Sequence, residues 1–388
     1  MRDAIKELVS FNQGRDPERL EMKYERMRKS PFAFLRGSCH LFYARLPRAP
    51  VLKKAPLAWA CGDLHLENLG SYRGDNGQVY FDLNDFDESL RAPASWDLAR
   101  VLTSVLVGRD ALGANRKDAR ELGALLLQTY ASALVEGKAR WVERETATPP
   151  VRSLLESADA SNHGALIASR TKKGRIKLDG ERALPASERD QERVRALFEA
   201  LRAKHADLTR VKVRDVARRI AGTGSLGLER WVILIDDGGS AEKEHLLDLK
   251  VASPASALQH IRLGQPAFAD EAARIVAVQR RMQAIAMASL HAVKLGRASF
   301  VLRRLLPSED RVELESLKPA RVGNLIRTVA ECVAWDQLRS SGRDGSAAAD
   351  ALIAYGRDRS WHKPLLKQAG AMAEQVERDY DAFMSAKL

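Results

Sequence analysis

The sequence predicts an α+β chain with a small antiparallel β lobe and a larger helical lobe. Three observations carry that expectation. Residues 57–88 hold strand-like pieces broken by Asp- and Asn-rich loops, and residues 213–251 hold a second set joined by a glycine-rich loop. Much of the remainder repeats its apolar residues at helical spacing. A length of 388 residues is enough to bury a sizeable core in two or three lobes.

Residues 1–56 read as an N-terminal helical segment. Asp16-Pro17-Glu18 opens a helix, with proline in the first turn and acids at the positive end of the dipole. Ser30-Pro31 breaks it, and a further helix is expected from Phe32 through Phe42 toward Leu46. Pro47, Pro50 and Pro56 mark an extended connector. Residues 57–205 carry an acidic hairpin and then helices. The hairpin turns at Gly74-Asp75-Asn76-Gly77, and a helix opens near Trp96-Asp97. Leu98, Val101, Leu102 and Val105 form one apolar face; Leu122, Leu125, Leu126, Tyr130 and Leu134 form a second. Arg170–Lys173 reads as a solvated basic loop, 177–181 as a turn, and 188–204 as a helix.

Residues 206–310 read as a nucleotide-binding β lobe: glycine loop, strand 231–235, turn Asp237-Gly238-Gly239, strand 245–251, a long helix over 269–290, and a strand over 299–307. Residues 311–388 are C-terminal helices completing the helical lobe.

Composition narrows the function classes. Hydrophobic residues at 45% with charged residues at 29% are those of a soluble globular chain. No apolar run approaches the roughly 20 residues that span a bilayer, and MRDAIKELVSFNQ lacks the apolar block of a signal peptide. Cys39, Cys61 and Cys332 are too scattered for a disulfide framework or a zinc pattern. A cytoplasmic protein with no membrane partner is expected. The net charge of +12 raises nucleic acid as a partner. The arginines are interleaved with acids along helices rather than gathered in a tail, so nucleic acid is not expected, and a nucleotide or other anionic ligand suits the charge better.

Two stretches carry chemistry. In the first, Asp63, Asn68 and Asp85 sit on loops at the ends of one hairpin, and their oxygens suit Mg²⁺, which takes one or two carboxylates plus phosphate oxygens. Each alone is an ordinary turn residue; the combination is what points to a site. In the second, Gly222-Thr223-Gly224-Ser225-Leu226-Gly227 fits G-x-G-x-x-G. A following helix would have indicated a dinucleotide site. A following ribbon with Lys250 in its last strand indicates a phosphate-covering loop and a phosphate-binding lysine. Strand alternation puts Lys250 on the face opposite Leu249 and Val251.

The series G-D-x-H-x-x-N, D-F-D and then D-L-A, twelve positions after Asp85, resembles the catalytic and metal-binding loops of aminoglycoside and choline kinases. The resemblance implies a protein-kinase-like fold using ATP and Mg²⁺. The glycine loop follows the acidic loops here instead of preceding them, which implies a circularly permuted order. Tyr24-Glu25-Arg26-Met27, SPFAF, Arg36-Gly37, CGDLHLENLG, FDLNDFDE, WDLAR, GTGSLG and Glu377-Arg378-Asp379-Tyr380 together resemble the bacterial domain of unknown function family 2252 over nearly the whole chain.

By that resemblance Asp63 receives or orients the acceptor hydroxyl's proton, and Asn68 and Asp85 hold Mg²⁺. Asp82 and Asp87 stand in reserve as ligands, and His65 and Asp97 brace the loops. Gly222, Thr223, Gly224, Ser225 and Gly227 cover the phosphates, which Lys250 pairs. Glu271 either pairs with Lys250 or complements its helix's dipole. The sequence departs from the patterns at Cys61, where aminoglycoside kinases carry His, and at Ala277 and Asp336-Gln337, where the family is expected to show Glu and Ala–His. The expected activity is phosphoryl transfer to an unknown small-molecule or protein hydroxyl; the alternatives are AMP transfer and a nucleotide-binding pseudoenzyme scaffold.

Overall fold

The computed structural model describes residues 3–388 except 204, 206, 207, 239–243, 308 and 387, so the expectations at Lys204 and Gly239 lie outside the described residues. Four helices open the chain: α1 (Ala4–Phe11), α2 (Pro17–Arg28), α3 (Pro31–Gly37) and α4 (Cys39–Arg45). Asp16 caps α2 by accepting the Arg19 N–H at 3.1 Å, and Ser30 caps α3 through Ala33, as those residue types favour. The single helix expected over 32–46 is two. Ser38 leaves the helical region and returns its hydroxyl to the Phe34 carbonyl at 2.6 Å, which ends α3 and opens α4.

Two two-stranded ribbons follow. β1 (Leu57–Ala60) pairs antiparallel with β4 (Leu90–Pro93), and between them β2 (Leu69–Arg73) pairs with β3 (Val79–Leu83). This nesting brings the β1–β2 loop, 61–68, beside the β3–β4 loop, 84–89. α5 (Ser95–Val107) and α6 (Arg116–Glu136) run behind them. Leu98, Val101, Leu102 and Val105 are fully buried, and side chains of that kind contribute about 1.5–3 kcal/mol each.

After α7 (Val151–Asp159) and α8 (His163–Arg170), the basic stretch expected as a loop forms the short hairpin of β5 (Thr171–Lys172) and β6 (Arg175–Ile176). The 177–181 turn is present, with the Asp179 carboxylate receiving the N–H groups of Glu181, Arg182 and Ala183. β7 (Ala183–Pro185) and α9 (Glu188–Arg202) then lead to β8 (Lys212–Arg219), β9 (Arg230–Asp236) and β10 (Glu244–Val251). α10 (Glu271–Met282), β11 (Leu290–Leu295) and β12 (Ala298–Leu305) complete an antiparallel sheet in the order β11-β12-β10-β9-β8-β7. The helix expected over 269–290 therefore stops early. Gln283 turns extended and donates its amide to the Leu83 carbonyl at 2.7 Å, and residues from Leu290 pair with β12 instead.

Alternation along these strands decides both faces of the sheet. One face packs Trp231, Ile233, Leu247, Leu249 and Phe300 on Val194, Leu197 and Phe198 of α9. The other carries Lys250, Asp248, Arg230 and Arg303 at the end nearest the acidic loops. α11 (Pro319–Arg339), α12 (Ala349–Arg357) and α13 (His362–Ser385) pack on α5 and α6 and close the main core. The result is a mixed α+β chain. No helix among the described residues is long and apolar enough to cross a membrane.

Candidate functional site

A cleft of ≈ 1320 Å³ lies where the two acidic loops, the glycine loop and the polar face of the sheet meet. Asp63, Asn68, Asp85, Gly222, Thr223, Gly224, Ser225, Gly227 and Lys250 all line it. Residues separated by more than 150 positions in sequence thus share one cavity.

The floor is built from hydrogen bonds between the loops. Asp97, at the start of α5, accepts the backbone N–H groups of Cys61 (2.9 Å) and Gly62 (3.0 Å) and so fixes the first loop. Burial lifts its carboxyl to about 6, against the pull of those two bonds. Gly62 adopts φ +84°, and any side chain there would strike the Glu88 carbonyl, so the two loops touch only because this residue is glycine. The Asn68 amide donates to the Asp63 carbonyl (3.0 Å) and the Asp85 carbonyl (3.3 Å), and its oxygen accepts the Asp85 N–H (2.8 Å). Asn68 therefore joins the loops as well as facing the cleft. His65 accepts the Glu67 N–H at 3.1 Å and stands edge-on to Phe32; burial first, then Arg36, keeps its ring neutral.

Asp63 Oδ1 is gripped by Arg100, a fully buried guanidinium on α5, through Nε at 3.0 Å and Nη2 at 2.5 Å. Among the described residues no protein donor meets Oδ2, and Asp63 lines the cleft. Lys250 reaches across from β10 to the second loop, bonding the Asp87 carboxylate and standing 3.9 Å from Asp85 Oδ2. Desolvation in the cleft works to raise the Asp85 carboxyl, but the Lys250 ammonium, the Asp87 N–H and the Arg230 and Arg303 charges together outweigh it and hold the group below the usual range. Asp87 moves up, because burial and the Asp85 charge outweigh the same ammonium.

Glu271 does not meet Lys250. Its carboxylate takes Arg274 Nε at 2.6 Å, one turn along α10, while Asp87 occupies the lysine. Arg274 in turn ties α10 to the second loop through the carbonyls of Ser89 and Asp87. Asp82 faces away from the cleft, beside Asp336 and Arg339, and so is not placed to ligate there. Gln337 receives the Tyr130 hydroxyl.

The glycine loop is held from outside by the N-terminal helices. Arg15 donates to the carbonyls of Gly224 and Leu226, both at 2.7 Å, Lys23 to Gly224 (3.1 Å) and Arg26 to Gly222 (2.6 Å). Among the described residues no protein acceptor meets the N–H groups of Gly222, Thr223, Gly224, Ser225 or Gly227. Carbonyls engaged and amides open is the arrangement of an anion-binding loop.

Several cleft residues had no signal in the sequence. Glu88 accepts from the Ser256 backbone (2.5 Å) and hydroxyl (2.7 Å); burial, helped by Asp63, lifts it to about 7. Asp248 collects Arg219, Arg230 and Arg303 on one buried carboxylate. Burial opposes its charge, yet the three guanidiniums hold it well below the usual range. Asp248 and its three arginines come from four different strands, and no local spacing announces such a cluster.

No curated protein and no solved structure matches the chain. A family profile does match, over residues 15–386, and so covers nearly all of the fold and every cleft residue singled out above. The chain belongs to the bacterial family DUF2252, described as "Uncharacterized protein conserved in bacteria".

Proposed function

We propose that the chain is an ATP- and Mg²⁺-dependent phosphotransferase with a circularly permuted, protein-kinase-like arrangement, acting on a hydroxyl acceptor. The observation that carries this reading is the meeting of Lys250 with Asp85 and Asp87 across a cleft that also holds Asp63, Asn68 and the glycine loop.

The donors at the floor suit a hard cation. Asp85 has a side chain 57% exposed, and among the described residues the hydrogen bond on its Oδ1 is the one from the Asp87 N–H at 3.2 Å. Asp85 and the Asn68 oxygen would hold Mg²⁺, with phosphates and water supplying the other ligands. Bound there, the ion would neutralise phosphate charge as transfer proceeds.

The chain's own residues divide the remaining work. The open amides of the glycine loop and the Lys250 ammonium bind phosphate oxygens. Arg100 holds Asp63 through Oδ1 in one orientation, and among the described residues no protein donor meets Oδ2. The acceptor oxygen bonds to the γ-phosphorus, the bond from that phosphorus to the β–γ bridging oxygen breaks, and ADP leaves with the electron pair. The hydroxyl proton passes to Asp63 Oδ2. Positioning and charge neutralisation carry most of such a reaction.

ATP labelled on the γ- or the α-phosphate, incubated with the protein and a metabolite pool, tests the reading. Transfer of the γ label, lost in Asp63→Asn, is expected. Transfer of the α label would replace it with AMP transfer, and nucleotide binding without either would leave a scaffold.

A further inference from the structure

Beside Asp63 the cleft has a strongly basic corner that the phosphotransfer scheme leaves unused. Arg36 at the end of α3 and Arg311 both reach Glu67 Oε2, at 2.5 and 2.9 Å. Arg26 of α2 stands close enough for its charge to bear on both. Among the described residues the acids at the corner are Glu67, Asp63, which Arg100 already neutralises, and Asp310, whose carboxylate takes the Arg311 backbone N–H at 2.8 Å. Three cations against Glu67 and Asp310 leave a net positive charge of about +1. Arg36 also keeps a buried Nε without an acceptor, and Arg311 is half exposed with donors to spare.

The corner is built, not incidental. Arg311 follows a strap laid along β2: the Ser71 N–H donates to the Asp310 carbonyl at 2.8 Å, and the Asp310 N–H returns to the Ser71 hydroxyl at 3.1 Å. Gly70 makes room for it, since a Cβ there would stand 2.3 Å from the Asp310 oxygen. Two elements distant in sequence thus bring guanidiniums to the loop that carries Asp63.

We propose that Arg36 and Arg311, with Arg26 behind them, bind a phosphomonoester group on the acceptor, so that the hydroxyl presented to Asp63 belongs to a phosphorylated small molecule. A phosphomonoester carries about −1.5 to −2 at neutral pH and offers three acceptor oxygens, so it can take donors from both guanidiniums at once. Guanidinium forks suit its oxygens. The word acceptor rests on the phosphotransferase reading; the anion site itself does not.

The test is calorimetric titration of the full chain with inorganic phosphate and with glycerol 3-phosphate, alone and in the presence of Mg²⁺ and a non-hydrolysable ATP analogue. Both probes are expected to bind, and to bind equally well with the analogue in place. Arg311→Gln should weaken both by about tenfold or more, the usual effect of losing a charge-assisted pair, and leave analogue binding unchanged. Arg36→Gln should do the same; Arg311, being half exposed, keeps the test valid if the Arg36 variant fails to fold. Lys250→Ala should weaken the analogue and spare the phosphate. The proposal is overturned if neither probe binds, if the analogue displaces them, or if Arg311→Gln leaves them untouched. Phosphate binding that needs Arg311 in a protein that ignores the analogue would sink the phosphotransferase reading and keep this site.

Discussion

Asp97→Asn probes the brace beneath the first acidic loop. Asp97 is fully buried and accepts two backbone N–H groups, from Cys61 and Gly62. Its carboxyl rises from 3.8 in an unfolded chain to about 6 in the fold, chiefly through burial. A raised carboxyl means that the folded state holds the proton more tightly. Its contribution to stability is therefore complete below pH 3.8 and is lost as pH rises through 6. A shift of about two units corresponds to roughly 3 kcal/mol, at 1.36 kcal/mol per unit. Asn cannot ionise, and its amide can accept only one of the two N–H groups, a pH-independent cost of about 1–3 kcal/mol. Urea unfolding of both proteins from pH 4 to pH 7 should show the variant less stable at pH 4, with the difference moving in the variant's favour by roughly 2–2.5 kcal/mol toward pH 7. A gap that stays constant across that range would refute the idea that this buried group titrates with folding.

Three further substitutions follow from the structure. Gly70→Ala places a methyl 2.3 Å from the Asp310 carbonyl, so the strap must shift; a loss of about 1–3 kcal/mol is expected in urea unfolding. Gly370→Ala, in mid-helix with nothing within 4 Å, should instead add about 0.5–1 kcal/mol. Arg100→Lys removes the two-point grip on Asp63. A fall in kcat of tenfold or more, with nucleotide affinity unchanged, is expected if that grip orients Asp63 for transfer; equal losses in both would point to general disorder of the cleft.

Much of this site was legible because its parts are local. The loops around Asp63, Asn68 and Asp85, the glycine loop and the Lys250 strand each announce themselves within a few residues, and the structure brings all of them to one cleft. What the sequence hides is who pairs with whom. Glu271 was a natural candidate for Lys250 by its place on α10, yet Arg274 lies one turn away and captures it, while Asp87 comes from another loop. Arg100, Glu88 and the Asp248 cluster act only across elements, where no periodicity records them. Likewise residues 283–290 were expected to continue the helix, but α10 ends at Met282, Gln283 bonds the Leu83 carbonyl, and Leu290 joins the ladder with β12, so long-range pairing overrode local preference. β4 was missed for the same reason: its partner β1 lies some thirty residues back.

The central claim is that the acidic loops and the glycine-loop lobe jointly hold one magnesium-bound nucleotide. Calorimetric titration of ATP, with and without Mg²⁺, into wild type, Asp85→Ala, Lys250→Ala and the double variant tests it most directly. Wild type should bind with a clear Mg²⁺ dependence. Asp85→Ala should lose that dependence, Lys250→Ala should bind at least about tenfold more weakly, and the two losses should be non-additive, as expected of groups in contact. Wild type that ignores ATP, or variants that bind as wild type does, would contradict the account.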